Sequence, residues 1–201
     1  MTWYVVRHAH KEAGDFYNPR LRHQDEPLSA KGREEAQKLV SCFAGKPIAA
    51  IYISGYRRTW QTAEGVAERL NLTPVIDERL NEIDNGQIDG MTEDGFRQAF
   101  PSEYAAYMQR TADFRFPGGE NGQEVRQRIL AFAEEKRRQH AGEDLLIVAH
   151  DGLIRSWMCA LMELPVYRRA DFQIDFCGLM EMDYQEEYAR WKLIRFNQAC
   201  A

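Results

Sequence analysis

Residues 3–6, Trp-Tyr-Val-Val, are apolar at every position, so a strand built from them shows an apolar side chain on both faces. Such a strand must be covered from above and below. The runs 48–53 and 145–149 have the same character, and 74–76 is a shorter one. Helix-spaced residues follow the long runs. Ser29 is placed to cap a helix carrying Ala36, Leu39, Val40 and Phe43, which Gly45-Lys46-Pro47 stops. Trp60, Ala63, Val66, Ala67 and Leu70 share one helical face, as do Val125, Ile129, Phe132 and Ala133, and then Leu153, Ile154, Trp157, Met158 and Leu161. Strands alternating with helices predict an α/β fold: a three-layer α/β/α sandwich on a mostly parallel central sheet. The runs 177–184 and 188–196, joined by Gln185-Glu186-Glu187, predict an antiparallel edge hairpin.

At 201 residues and 44% hydrophobic, the chain suits one domain over 1–201 with a real core. A net charge of −5 gives no reason to expect nucleic acid or an anionic membrane as partner. No apolar run approaches the ~20 residues of a membrane span, and the start lacks a leader pattern, so a cytoplasmic location is expected. Cys42, Cys159, Cys177 and Cys200 show no CxxC or similar spacing and are expected as unpaired thiols of a reducing compartment. Oligomeric state is open, a homodimer included.

The ends of the apolar runs carry the chemistry. The first stops at Arg7-His8, the second leads through Ser54-Gly55 to Arg57-Arg58, and that at 145–149 stops at His150-Asp151-Gly152. In a parallel sheet these ends share one edge, where open α/β sheets bind ligands. Two imidazoles, guanidinium forks and a helix N-terminus make a pocket for a phosphoryl dianion. A neutral His there can attack phosphorus, and a carboxylic acid must then protonate the leaving oxygen. The acidic loop 80–90, with Glu82, Asp84 and Asp89, supplies candidates, Glu82 first. The long loop after His10 carries Lys11, Arg20, Arg22 and His23, and is read either as a ligand border or as a solvated loop. Residues 92–116 form two short helical patterns broken at Pro101. Packing accounts for their dense aromatics, while Arg97, Arg110 and Arg115 leave room for a lid, so residues 84–118 are expected as a substrate-lid insertion.

These residues resemble the histidine phosphatase superfamily, which includes phosphoglycerate mutase-like enzymes. Arg7-His8 matches its opening Arg-His-Gly, and Leu28-Ser29-Ala30-Lys31-Gly32 matches a Leu-Thr-x-x-Gly helix start. Ser54, Arg58, Gln61, Thr62 and Ala63 meet Ser-x-x-x-Arg-x-x-Gln-Thr-Ala in full. Leu80, Glu82, Gly86 and Gly90 meet Leu-x-Glu-x-x-x-Gly-x-x-x-Gly, Pro117, Gly119 and Glu120 match Pro-x-Gly-Glu-Ser, and Val148, His150 and Gly152 meet Val-x-His-x-Gly. The resemblance covers roughly residues 3 to 160. It implies His8 as nucleophile, Glu82 as proton donor and later base, and Arg7, Arg58 and His150 as phosphate ligands. Asn18 is the candidate for the Asn the family often has after its first His. No metal or organic cofactor is implied, and the substrate is a small-molecule phosphate ester. Three positions depart: Ala9 stands for Gly, His10 for a frequent acidic residue, and Asn121 for Ser.

Two rival readings stay in view. His8-Ala9-His10 puts two imidazoles on one strand face, as a metal-binding pair would. A binding module that keeps the pocket without turnover is the other. Within the family, the run Glu82-Ile83-Asp84-Asn85-Gly86 lacks the adjacent Arg-His pair of the mutase branch, which favours hydrolysis over mutase-type phosphotransfer.

Overall fold

The structure, a computed structural model, describes residues 1–200. Its central sheet holds β1 (Thr2–Arg7), β4 (Ile48–Ile53), β5 (Val75–Ile76), β6 (Asp144–Ala149), β7 (Leu179–Gln185) and β8 (Arg190–Gln198), in the order β5-β4-β6-β1-β7-β8. The pairs β1–β6, β4–β6 and β4–β5 are parallel, while β7 is antiparallel to both β1 and β8. The hairpin expected at the edge is present. A separate two-stranded ribbon pairs β2 (Tyr17–Asn18) with β3 (His23–Gln24) in the loop after β1.

The alternation within β1 shows why it needs cover on both faces. Trp3 and Val5 point into one apolar layer, where α5 (Gly122–Gln139) supplies Val125, Ile129 and Phe132, and α6 (Asp151–Leu161) supplies Leu153 and Trp157. Tyr4 and Val6 point into the other, against Leu39 and Phe43 of α1 (Ala30–Phe43) and Ala63 and Val66 of α2 (Arg57–Leu70). Trp3, Val5 and Val6 are all 0% exposed. Three layers follow from that one strand. Two shorter helices, α3 (Glu93–Ala99) and α4 (Pro101–Gln109), lie in the segment between β5 and α5. Phe96 there packs against Phe100, Tyr104, Tyr107 and Phe114, so packing does account for these aromatics.

Capping follows the sequence. The Ser29 hydroxyl accepts from Gly32 N at 3.1 Å, and Asn121 with Glu124 forms a capping box at the head of α5. Asn121, which replaces Ser in the turn pattern, therefore serves the helix.

The cysteine expectation is half corrected. Cys42 and Cys200 are joined in a disulfide with Cα atoms 5.7 Å apart, and only Cys159 and Cys177 are free thiols. No short spacing could reveal a pair 158 residues apart. The chain end after β8 returns to the C-terminal turn of α1, and tertiary structure alone makes the partners neighbours. The inference of a reducing compartment loses its basis with it. Among the described residues, no helix is long and apolar enough to cross a membrane.

One glycine fixes how α1 meets the end of β1. A Cβ on Gly32 would lie 1.9 Å from the His10 carbonyl oxygen, which also accepts from Ser29 N at 3.0 Å. A methyl there must push apart backbone that carries His8 and His10. Gly32→Ala should cost at least about 1–3 kcal/mol, read as a lower urea midpoint at unchanged slope. Gly45→Ala, whose Cβ would meet nothing within 4 Å, should stay within about 0.5 kcal/mol of the parent.

Candidate active site

The register sets three strand ends side by side. Arg7 is opposite Ala149 across β1–β6, and Ile53 is opposite Val148 across β4–β6. The residues that follow each strand, His8, Ser54 and His150, therefore emerge together at the C-terminal edge. His8 N donates to Ala149 O at 2.9 Å, and the rings of His8 and His150 meet edge-on with centroids 5.2 Å apart. Both are buried, at 4% and 0% exposure.

His8 is held in one tautomer. Its Nδ1 lies 2.8 Å from the Ala9 carbonyl oxygen, which can only accept, so Nδ1 carries the proton and Nε2 keeps its lone pair. Burial, with Arg58, Arg7 and Lys11 adding like charge, pushes the imidazole well below its ordinary range, against the pull of the Ala9 carbonyl. The result is a neutral base. His150 is anchored through Nε2, 2.8 Å from Ser54 Oγ, which itself accepts from Tyr56 N. Burial and the charge of Arg58 hold His150 neutral too.

Two guanidinium groups flank the imidazoles. Arg58 opens α2, 5% exposed, with Nη1 on Glu26 Oε2 at 3.1 Å and its plane over the Tyr56 ring at 4.1 Å. Arg7 donates from Nη1 to Ile174 O at 2.6 Å, faces Asp151 at 3.5 Å, and lies over the Phe176 ring at 4.1 Å. Each is thus gripped at one end. Arg7 Nε, Arg58 Nε and His150 Nδ1 are all buried with no hydrogen-bond partner. A buried donor left unpaired costs about 1–3 kcal/mol. Two unpaired guanidinium N–H groups, on arginines whose charge acts on His8, describe a place for a multiply charged oxyanion.

Glu82 comes from the loop after β5 and meets the head of α6. Its carboxylate accepts from Gly152 N at 3.2 Å, Leu153 N at 3.1 Å and Ile83 N at 2.9 Å. Gly152 makes room, because a Cβ there would sit 2.9 Å from Glu82 Oε1. Behind it, Glu120 grips Arg128 through two bonds of 2.9 and 3.0 Å, and Arg128 donates to Glu82 O at 3.2 Å and Arg79 O at 2.6 Å. Glu120 therefore braces the Glu82 loop through an arginine.

The structure brings His8, His150, Arg7 and Arg58 together and sets Glu82 on the same edge. Asn18 Nδ2 donates to Asp25, the neighbour of Glu26, and its Oδ1 accepts from Arg20 N. His10 has its Nδ1 2.8 Å from Ser29 Oγ. Among the described residues no three His, Cys, Asp or Glu side chains gather as a metal-ligand set. Ala9 is 0% exposed, packs with Leu28 and Ala36, and donates from N to Thr62 Oγ1 at 3.0 Å, so its methyl has a place. His23 of the long loop pairs with Asp84 at 3.6 Å and Asp89 at 3.4 Å, and the Asp89 hydrogen bond raises it above the ordinary imidazole range.

Sequence reasoning missed Glu26 and Phe176. Glu26 pairs with both Arg58 and Lys11, the latter at 2.5 Å, and its neighbour Asp25 accepts from Arg57 N at 2.8 Å. A buried acidic pair in a loop otherwise rich in cations was the available signal. Phe176, which borders Arg7, His8 and His10, had none.

Comparison with known proteins agrees with this geometry. Over 199 residues the chain is 29% identical to phosphoserine phosphatase 1 of Hydrogenobacter thermophilus, covering 98% of this chain and 92% of the relative. It is 29% identical over 193 residues to a protein of Enterobacter sp. named probable phosphoglycerate mutase GpmB, covering 91% and 85%. The solved structure of Bacillus stearothermophilus YhfR superposes with a TM-score of 0.84 at 26% identity, covering 98% of this chain and 96% of that one. The family model of the histidine phosphatase superfamily (branch 1) matches residues 3–198, and the chain belongs to that superfamily.

Proposed function

We propose that the protein is a phosphatase that hydrolyses a phosphate monoester through a phosphohistidine on His8. The observation that carries this reading is the neutral, buried His8 with its proton held on Nδ1, edge-on to His150 and in the field of Arg58 and Arg7, whose Nε atoms are buried without partners. The phosphoryl oxygens satisfy these donors, and the guanidinium charges offset charge developing on the transferring group. His8 Nε2 attacks phosphorus, the ester P–O bond breaks, and Glu82 gives its proton to the leaving oxygen. Water then attacks phosphorus, Glu82 takes back a proton, and the P–N bond breaks to release inorganic phosphate and restore His8. These steps call for no metal or organic cofactor.

Hydrolysis fits better than mutase-type transfer back to the product. Beside Glu82 stand a buried Ile83 and an Asp84 that faces His23, with no arginine–histidine pair to grip a sugar acid. The names of relatives span both reactions.

In this reading residues 1–201 form one domain, and residues 84–118 form a lid over the site. A pinned neck supports the lid: Gln87 N donates to Pro117 O at 2.8 Å and Glu120 N to Asp84 O at 2.9 Å. A Cβ on Gly86, at φ +56°, would lie 2.2 Å from Pro117 O.

Enzyme mixed with phosphorus-labelled 4-nitrophenyl phosphate should be quenched in alkali, because phosphohistidine survives base and hydrolyses in acid. Label on the parent protein that is lost in His8→Ala, together with at least a ~100-fold fall in kcat, is the expected result. Full activity in His8→Ala would end this reading. Glu82→Gln should lower kcat by about 100-fold or more for an alkyl phosphate, and less for 4-nitrophenyl phosphate, whose leaving group needs no proton.

The buried imidazoles also set a stability profile. His8 and His150 are held below their ordinary range in the folded state, whereas the unfolded chain takes up protons from about pH 6.5 downward. The unfolded state therefore binds more protons, and stability should fall as pH drops below about 6.5. His8→Asn removes one of the two groups. Thermal melts between about pH 7 and 5 should show a shallower loss of stability in that variant, by on the order of 1 kcal/mol across the range.

A further inference from the structure

The edge hairpin reaches the catalytic edge through Asn197. From Arg195 to Gln198 β8 takes three steps, where β7 takes two from Leu179 to Glu181, so β8 bulges there. Asn197 lies in the bulge with a left-handed φ of +55°. Its side chain leaves the strand for the turn before β7. Asp175 N donates to Asn197 Oδ1 at 2.7 Å, and Asn197 Nδ2 donates to Asp175 Oδ2 at 3.0 Å. Gly178 permits the approach, because a Cβ there would lie 2.5 Å from Asn197 Oδ1.

The turn that Asn197 grips, residues 174–178, wraps Arg7. Ile174 O accepts from Arg7 Nη1 at 2.6 Å, and the Phe176 ring lies 4.1 Å from the Arg7 guanidinium and 5.7 Å from the His8 ring. The backbones are tied as well: Arg7 N donates to Gly178 O and Cys177 N to Arg7 O, both at 3.1 Å. Cys177 stands at φ +56°, a conformation that a residue with a side chain keeps only where its surroundings fix it. Asn197 supplies part of that fixing. Yet β8 is the outermost strand, and Gln198 and Ala199 just beyond Asn197 are exposed. A strand end with so few buried contacts opens readily. The Cys42–Cys200 disulfide ties it to α1, and both cysteines are half-buried, within reach of a small reductant.

We propose that Asn197 is a positioning residue for Arg7, acting through the 174–178 turn, and that the Cys42–Cys200 disulfide holds it in place, so that opening the disulfide weakens the grip on phosphate. The proposal rests on the phosphatase reading for the role of Arg7 and adds its control. The reductant is a dithiol. Two electrons and two protons pass from it to the S–S bond, Cys42 and Cys200 become thiols, and the dithiol closes to its own disulfide. Once the two thiols part, the bonds between Asn197 and Asp175 open more often. Ile174 O and Phe176 then loosen about Arg7, whose fork loses the preorganisation that favours an anion.

Inorganic phosphate is the probe, with its Kd read by titration calorimetry on folded protein and a thermal melt run on every variant. N197D sets a second carboxylate against Asp175 and should raise the Kd by about three- to tenfold. D175N/N197D exchanges donor and acceptor, rebuilds both hydrogen bonds, and should return the Kd to within about twofold of the parent. N197G removes both bonds without backbone strain, since glycine is at ease at φ +55°, and should weaken binding in the same way. It carries the test if N197D does not fold. Dithiothreitol should raise the Kd of the parent by a like factor, whereas C42S/C200S should start at the raised value and not respond to the reagent. A purely structural role lowers the melting temperature and leaves the Kd of the folded protein unmoved. An unmoved Kd in N197G overturns the proposal, as does failure of D175N to rescue N197D, or a reduced parent that binds phosphate as the oxidised one does. A parent that binds phosphate without turning over 4-nitrophenyl phosphate ends the phosphatase reading and leaves the brace to be judged on the Kd values. A parent that binds no phosphate brings down both.

Discussion

One buried and one half-buried guanidinium group beside two buried imidazoles at one sheet edge carry a large desolvation cost, and much of the surrounding structure answers it. Arg58 is gripped by Glu26 and covered by Tyr56, and Arg7 is gripped by Asp151 and the Ile174 carbonyl and covered by Phe176. In each case one end of the fork is tied and Nε is left free. The tied end removes rotamer freedom, and the free end is ready for a ligand. The two histidines respond in the other way available to a titratable group, by staying neutral. For His8 that neutrality leaves a lone pair on Nε2, which is what attacks in the proposed reaction.

The parallel sheet makes this arrangement possible. Strands β1, β4 and β6 run the same way, and their pairing register leaves His8, Ser54 and His150 level with one another. The helix that follows β6 turns its free N–H groups toward Glu82 rather than toward the phosphate pocket. The N-terminus of α6 therefore orients the carboxylate, and the anion site is left to side chains. Glu120 and Arg128 complete that support from the other side. The brace is long in sequence, joining residues 79, 82, 120 and 128, but short in space.

How far the sequence speaks depends on the range of the interaction. The strands announced themselves because burial on both faces leaves no polar residue in the run, as in residues 3–6 and 145–149. The helix start at Ser29 was local too, since a cap acts over three residues. The catalytic edge could be inferred because a parallel sheet aligns strand ends automatically. The pairing of Glu26 with Arg58, the cover of Phe176 over Arg7, and the Cys42–Cys200 bond are set by packing across 32, 169 and 158 positions. No periodicity or spacing rule reaches that far.

The departures at Ala9 and His10 bear on the chemistry more than their number suggests. The methyl at position 9 lies among Leu28, Ala36 and Cys177, and Thr62 fixes the N–H of the residue. The carbonyl of the same residue holds the Nδ1 proton of His8. Ala9 thereby sets the tautomer of His8 through its backbone, which any residue that fits the small apolar cluster can do. His10 has its ring on Ser29 and its N–H on Glu35, so it belongs to the α1 docking contact that Gly32 permits. The His-x-His spacing looked like a chelating pair only while the strand was imagined to continue. β1 ends at Arg7, and beyond it both imidazoles border Phe176 while their polar contacts differ, Nδ1 of His8 on Ala9 O and Nδ1 of His10 on Ser29 Oγ.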